Sequence, residues 1–179
     1  TVLISLLSMP LWMALLKRTS KNRLLLVGTL GFAAGLPLVH AIEPGPGALP
    51  LYAAYDALWM LFYGAVEVAS RALLGDVIDY DTLKTGQERS GEYVAVWNVV
   101  TRAMLAVGAS AAFAVAGWFG YDPSAASQTA QGILGLKLTM GGLPAGIAAL
   151  SVGLVLLLPM TRERHDVIRR RLARRVARA

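Results

Sequence analysis

The chain has 179 residues, of which 56% are hydrophobic and only 16% charged, and its mean hydropathy is +0.56. A net charge of +6 and a pI near 10.0 would suit a nucleic-acid binder, but the basic residues are confined to particular connections and form no single patch. The absence of cysteine excludes disulfides, thiolate nucleophiles and zinc–cysteine sites.

In chain order, the first apolar run, 2–16, is short against the roughly 20 residues a span needs. The sequence opens at Thr1 without an initiator Met, so this run is expected to be the remnant of a span whose upstream part is missing. No basic region followed by a short apolar stretch marks a cleavable signal. Lys17, Arg18, Lys21 and Arg23 fill the connection that follows. Residues 24–42, LLLVGTLGFAAGLPLVHAI, are uncharged and long enough to cross a bilayer. Prolines 44, 46 and 50, with Gly45 and Gly47, break the chain at 43–50. The third and fourth runs, 51–75 and 91–119, are long enough but carry isolated charges, and Ser90 is placed to cap the fourth. After a connection at 120–137 the fifth run, 138–159, is again uncharged. The tail repeats Ile168, Leu172 and Val176 amid arginines, which fits a basic amphipathic helix on anionic headgroups or a solvated tail.

Backbone polar groups in hydrocarbon must pair internally, and the runs lack the alternation of a barrel. The expected fold class is therefore all-α, a polytopic membrane helix bundle. A membrane unit, 1–161, carries helices at 2–16, 24–42, 51–75, 91–119 and 138–159, and a basic tail, 162–179, follows it. Basic residues recur at alternate connections, which puts 17–23, 76–90 and the tail on the cytoplasmic side. Pro10, Pro37 and Pro144 are expected to kink their helices, and the pairs Gly31/Gly35 and Gly142/Gly146 to permit close helix contact.

The second and fifth helices have no interior charge and read as lipid-facing walls. The third carries Glu67 and Arg71, and the fourth Arg102. Such groups normally face a bundle interior or a wet cavity. Helical rise puts Glu67 and Arg102 at similar depth, with Arg71 one turn from Glu67. Glu67, Arg71 and Arg102 are thus expected to form an intramembrane charge network, although Arg71 could equally snorkel to the surface. Trp59 and Tyr63 share a face with Glu67, and Trp97, Asn98 and Thr101 lie within a turn or so of Arg102. Rings beside amide and charged groups suit a sugar, while belt or packing aromatics are the plainer reading.

The stretch GDVIDYDTLKTGQERSGEY, 75–93, gathers the densest charge. Its spacing fits no calcium loop. Of the two histidines, His40 lies near the outer surface and His165 in the tail, so no catalytic base stands near it. No catalytic residue, metal site or cofactor is expected. Solubilising polarity and a conformational hinge both remain open for it.

That stretch, followed by an apolar helix ending GWFGYDP, resembles the glycoside–pentoside–hexuronide:cation symporters of the major facilitator superfamily. Asp76, Asp79, Tyr80, Lys84 and Gly86 match the family's D-x-x-D-Y core and following K-x-G. SMPLWMALLKRTSKNR and TRERHDVIRRRLARR resemble its eighth helix with the basic loop after it and its cytoplasmic end. Arg102 stands where a lysine is found in the family, which keeps the charge but not a side chain able to lose its proton. The resemblance implies helices eight to twelve of a twelve-helix transporter, the C-terminal portion, whose partner would be the missing N-terminal half carrying the coupling carboxylates. It implies symport of a sugar or glycoside with Na⁺ or H⁺ by alternating access, in a bacterial inner membrane, without nucleic acid. Trp97, Asn98, Thr101, Arg102, Trp59 and Tyr63 would then contact substrate, and Asp76, Asp79, Lys84 and Arg89 would form a cytoplasmic gate. The alternatives are a carrier of lysolipid or another amphiphile, and a non-transporting membrane scaffold.

Overall fold

The computed structural model describes residues 2–43, 45–125 and 127–157, and the basic tail lies outside them. Helix α1 is Val2–Arg18 and α2 is Lys21–Gly35, which tightens into a 3-10 turn at Leu36–Ala41. Helix α3 is Ala48–Thr85 and α4 is Ser90–Trp118. The final rod is α5, Ala130–Lys137, a π-helical turn at Leu138–Gly142, and α6, Leu143–Leu156. Among the described residues, four segments are long and apolar enough to cross a membrane: Lys21–Ala41, Ala48–Thr85, Ser90–Trp118 and Ala130–Leu156.

Capping explains boundaries that hydropathy does not. Ser20 accepts from the Arg23 backbone N–H at 3.3 Å and starts α2 ahead of its apolar run. Thr129 accepts from the Gly132 N–H at 3.0 Å and starts α5 well before residue 138, so much of the expected connection at 120–137 is helix. Two prolines break the regular ladder. Pro37 brings the 3-10 turn at the end of α2. Pro144 has no N–H for the carbonyl four residues back, that of Met140, and the Tyr55 hydroxyl donates to this oxygen at 3.3 Å.

The largest departure from expectation is at α3. Its 38 residues span about 57 Å at ~1.5 Å each, far more than a hydrocarbon core about 30 Å thick. Asp76, Asp79, Asp81 and Lys84 therefore lie on helix and not in a loop. The chain turns only at Gly86, whose φ of 75 is the left-handed geometry glycine adopts freely, with its N–H on the Thr82 carbonyl at 2.9 Å.

Packing reverses a second expectation. Helix α2 lies between α3 and α6, with Leu24, Leu25, Gly28 and Thr29 buried, so it is the centre of the described bundle and not a lipid-facing wall. A Cβ on Gly28 would stand 2.9 Å from that of Ala65, so glycine is what lets α2 and α3 approach. Trp12, Leu24, Leu25, Ala65 and Ala69 form the core there. Of the expected glycine pairs, Gly31 abuts the Phe62 ring and Gly35 has ordinary contact with Leu58, whereas Gly146 meets nothing within 4 Å. Helix α4 leans on α5 and the π turn and leaves most of its length exposed, Leu105 and Phe113 included.

Between α4 and α5 the Asp122 carboxyl accepts from the Ser124 N–H at 2.9 Å and its hydroxyl at 2.6 Å. These bonds to Ser124 hold the Asp122 carboxyl below its ordinary value of 3.8. A lowered folded value means the contribution is full above the ordinary pKa and fades as pH falls through the lowered one. Protection of the Ser124 amide, its exchange measured against the intrinsic rate at each pH, is thus expected to fall in that acid range, and Asp122→Ala to remove that step in protection.

Candidate functional site

Three groups of side chains bear on function. The first is a face of α3. Positions 52, 56, 59, 63, 67 and 71 follow helical spacing and put Tyr52, Asp56, Trp59, Tyr63, Glu67 and Arg71 on one side. Trp59 and Tyr63 meet nearly edge-on at 6.4 Å between centroids, and Phe32 of α2 sits edge-on to Trp59 at 5.6 Å. Arg71 donates from Nε to the Glu67 carboxyl at 2.6 Å, while its own side chain stays 63% exposed. Of the two alternatives the sequence offered for Arg71, the i,i+4 pair with Glu67 is present.

The second group lies on α4. Trp97 is half-buried, and Asn98, Thr101 and Arg102 are exposed. The Thr101 hydroxyl donates to the Trp97 carbonyl at 2.8 Å, so its proton is committed within the helix. Arg102 pairs with no carboxyl among the described residues. The expected three-member network is therefore the Glu67–Arg71 pair and a separate Arg102. Equal depth on antiparallel helices does not bring side chains together when the helices scarcely touch, and α3 and α4 have few contacts.

The third group ties the ends of helices that expectation placed on the cytoplasmic side. Lys21, at the start of α2, pairs with Asp76 of α3 and donates to the Ala72 carbonyl at 3.1 Å. Arg89 grips both oxygens of Asp81, at 3.0 and 3.1 Å, across the Gly86 turn. Asp79 is half-buried and Lys84 exposed, and neither is in an ion pair among the described residues. Of the four residues expected to form a gate, Asp76 and Arg89 are thus engaged, through Lys21 and Asp81. The sequence did hold a signal for both partners. Lys21 stands in the basic connection, and Asp81 lies just across a short glycine turn from Arg89.

A cavity of about 440 Å³ opens between α2, α3, α4 and α6, lined by Thr29, Phe32, Val66, Ala112, Leu143 and Ser151 among others. Its wall is mostly apolar, and the Thr29 and Ser151 hydroxyls donate to their own helices at 2.8 and 2.9 Å. None of the expected substrate contacts lines it. Among the described residues no three His, Asp or Glu side chains gather as a metal site would require.

The family described as MFS/sugar transport protein matches residues 1–162. The chain belongs to that family. It is accordingly a multi-pass membrane protein of a transporter family, and not an enzyme. No curated protein matches the chain. Membership of a sugar-transport family gives a physical reading to the charged and aromatic face of α3. Polar groups in a span are tolerated where they border a wet path, and a transporter has one. The apolar cavity offers hydrogen bonding only through a few hydroxyls whose protons are committed to their own helices.

Proposed function

We propose that the chain forms the C-terminal portion of a symporter that moves a sugar or glycoside together with Na⁺ or H⁺ by alternating access. The observation that carries this reading is Arg102, a fixed cation well inside α4 with no carboxyl partner among the described residues. An unpaired arginine in a span is costly in lipid, by roughly 2.5–3.5 kcal/mol on insertion scales, and calls for a polar solute or wet cavity beside it. Asn98, Trp97 and Thr101 share that stretch of α4, and Trp59 and Tyr63 supply ring faces from α3. Glu67 holds Arg71 at the border of the same path. In this reading the Lys21–Asp76 and Asp81–Arg89 pairs hold the cytoplasmic end closed in one state and part in the other, with Asp79 and Lys84 free to exchange into them. Alternate placement of basic connections puts that end in the cytoplasm, with the solute entering from the other side of a bacterial inner membrane.

Arg102→Ala is the deciding variant, assayed in sealed vesicles with a panel of labelled glycosides under imposed Na⁺ and pH gradients. A hydrogen bond to a charged group contributes about 1.5–3 kcal/mol, so solute affinity is expected to fall roughly tenfold or more. Unchanged uptake and affinity would remove Arg102 from the path. The apolar cavity favours a second reading, carriage of a lysolipid or similar amphiphile. In that case a lysolipid, and no glycoside, would be taken up.

A further inference from the structure

Asp56 is a carboxyl group that the charge pairs leave aside. It lies on α3, eleven positions before Glu67, which is close to three turns, so both emerge on the same face. Tyr63 lies between them on that face, with Trp59 beside. Asp56 is only 7% exposed, yet among the described residues no donor reaches it and no cation pairs with it. Three of the four other acids of α3 are paired, and the fourth, Asp79, is only half-buried. Glu67 has Arg71, Asp76 has Lys21 and Asp81 has Arg89. The aromatic neighbours do not substitute for a partner. The Tyr55 hydroxyl is committed to the Met140 carbonyl, and Trp59 meets Tyr63 and Phe32 edge-on.

A shielded acid in a membrane-spanning helix is expensive unless something polar meets it. A multivalent cation would ask for several oxygen ligands, and no acidic cluster gathers among the described residues. Polyhydroxylated solutes answer the geometry better. A carboxyl accepts from two adjacent hydroxyls at once, and rings one turn away take the C–H face of the same molecule.

We infer that Asp56 is a substrate-contacting residue, whose two oxygens accept hydrogen bonds from neighbouring hydroxyls of the solute while Trp59 and Tyr63 pack against its C–H face. The inference rests on the sugar-transport reading above and adds a binding residue nearer the start of α3 than Glu67. It also narrows the solute to one with vicinal hydroxyls, since a deoxy analogue would leave one carboxyl oxygen unmet.

These 179 residues hold no cysteine, so with any cysteine elsewhere in the transporter replaced by serine, Asp56→Cys carries a single thiol that a membrane-impermeant methanethiosulfonate can report. The complete transporter that contains these residues is reconstituted in phosphatidylcholine–phosphatidylglycerol vesicles, and a glycoside panel first identifies a transported probe with the wild-type sequence. With that probe, Asp56→Cys is expected to be labelled from water and protected severalfold by it. Asp56→Asn, which keeps shape and one acceptor, is expected to raise the KM for uptake roughly tenfold, and the deoxy probe to be less sensitive to that change. Wild-type uptake with neither protection nor a KM change would overturn the Asp56 assignment while leaving the sugar reading intact. Absence of uptake for every glycoside would overturn that reading and this inference together. Should the cysteine variant fail to insert, the Asn variant alone decides through its KM.

Discussion

Asp76→Ala is expected to lower the unfolding free energy of the bundle by about 3 kcal/mol, near the low end of the roughly 3–5 kcal/mol seen when one partner of a buried pair is removed. The low end applies because the two partners are unequally shielded. The Asp76 side chain is 5% exposed, but Lys21 is 28% exposed and can swing its ammonium outward once the carboxyl is gone. Its bond to the Ala72 carbonyl would hold part of it in place. The reverse change, Lys21→Met, removes the ammonium from the better-shielded carboxyl, so it should be the more damaging of the two. A double-mutant cycle in detergent, read by denaturant unfolding, separates pair from environment. A coupling below about 0.5 kcal/mol would mean that water screens the contact as it does surface pairs. The same variants test the proposed gate. If distances between the ends of α2 and α3 in vesicles keep the same distribution after Asp76→Ala, the pair has no part in closure.

Trp12→Ala is the second large effect, with an expected loss of about 3 kcal/mol. Trp12 is 6% exposed, touches the core formed by Leu24, Leu25, Ala65 and Ala69, and donates from its ring nitrogen to the Leu61 carbonyl at 2.9 Å. In water-soluble domains the large-to-small change of an aromatic costs about 3–5 kcal/mol, part transfer and part cavity. In a bilayer the transfer part is small, because lipid tails are as apolar as the site. What remains is lost dispersion around the vacated volume and one hydrogen bond. Trp12→Phe separates these, since it keeps most of the ring contact, and it should lose about 1 kcal/mol, that of a hydrogen bond. Equal losses for the two variants would show that the bond dominates and that the core around it collapses freely.

Individual residues show how far the sequence could be read. Long apolar runs located the spans because hydrocarbon admits few charges, and the all-α bundle followed. Hydropathy marks where a bilayer ends, however, not where a helix does. The third run loses its apolar character at Gly75, while the backbone ladder continues through Asp76 and Asp81 to the left-handed Gly86. The burial of α2 was hidden for a related reason. Leucine looks the same to a lipid tail and to a neighbouring helix, and Gly28 decides between them only once Ala65 is known to lie opposite. Pairs within one helix, such as Glu67–Arg71, follow from spacing alone. Pairs between helices, such as Lys21–Asp76, need an interhelical register that one sequence does not encode locally. Arg102 was expected to join Glu67 on depth alone, and depth says nothing about azimuth. Asp56 was overlooked because it lies near the beginning of its run, where an acid passes for an interfacial residue.

The length of α3 has a mechanical consequence. A continuous rod of about 57 Å, centred on the midplane, reaches ~28 Å to either side. A tilt of only about 10° would sweep the Gly86 tip through roughly 5 Å and Asp76, about 14 Å from the midpoint, through ~2.5 Å, enough to lengthen its contact with Lys21 at a neighbouring helix. Because Arg89 clasps Asp81 across that tip, the first turn of α4 would be carried along with it. A small displacement near the middle of the rod, beside Tyr63 and Glu67, would thereby be magnified toward the Gly86 tip with no joint along the way, as a crowbar converts a short push into a long stroke.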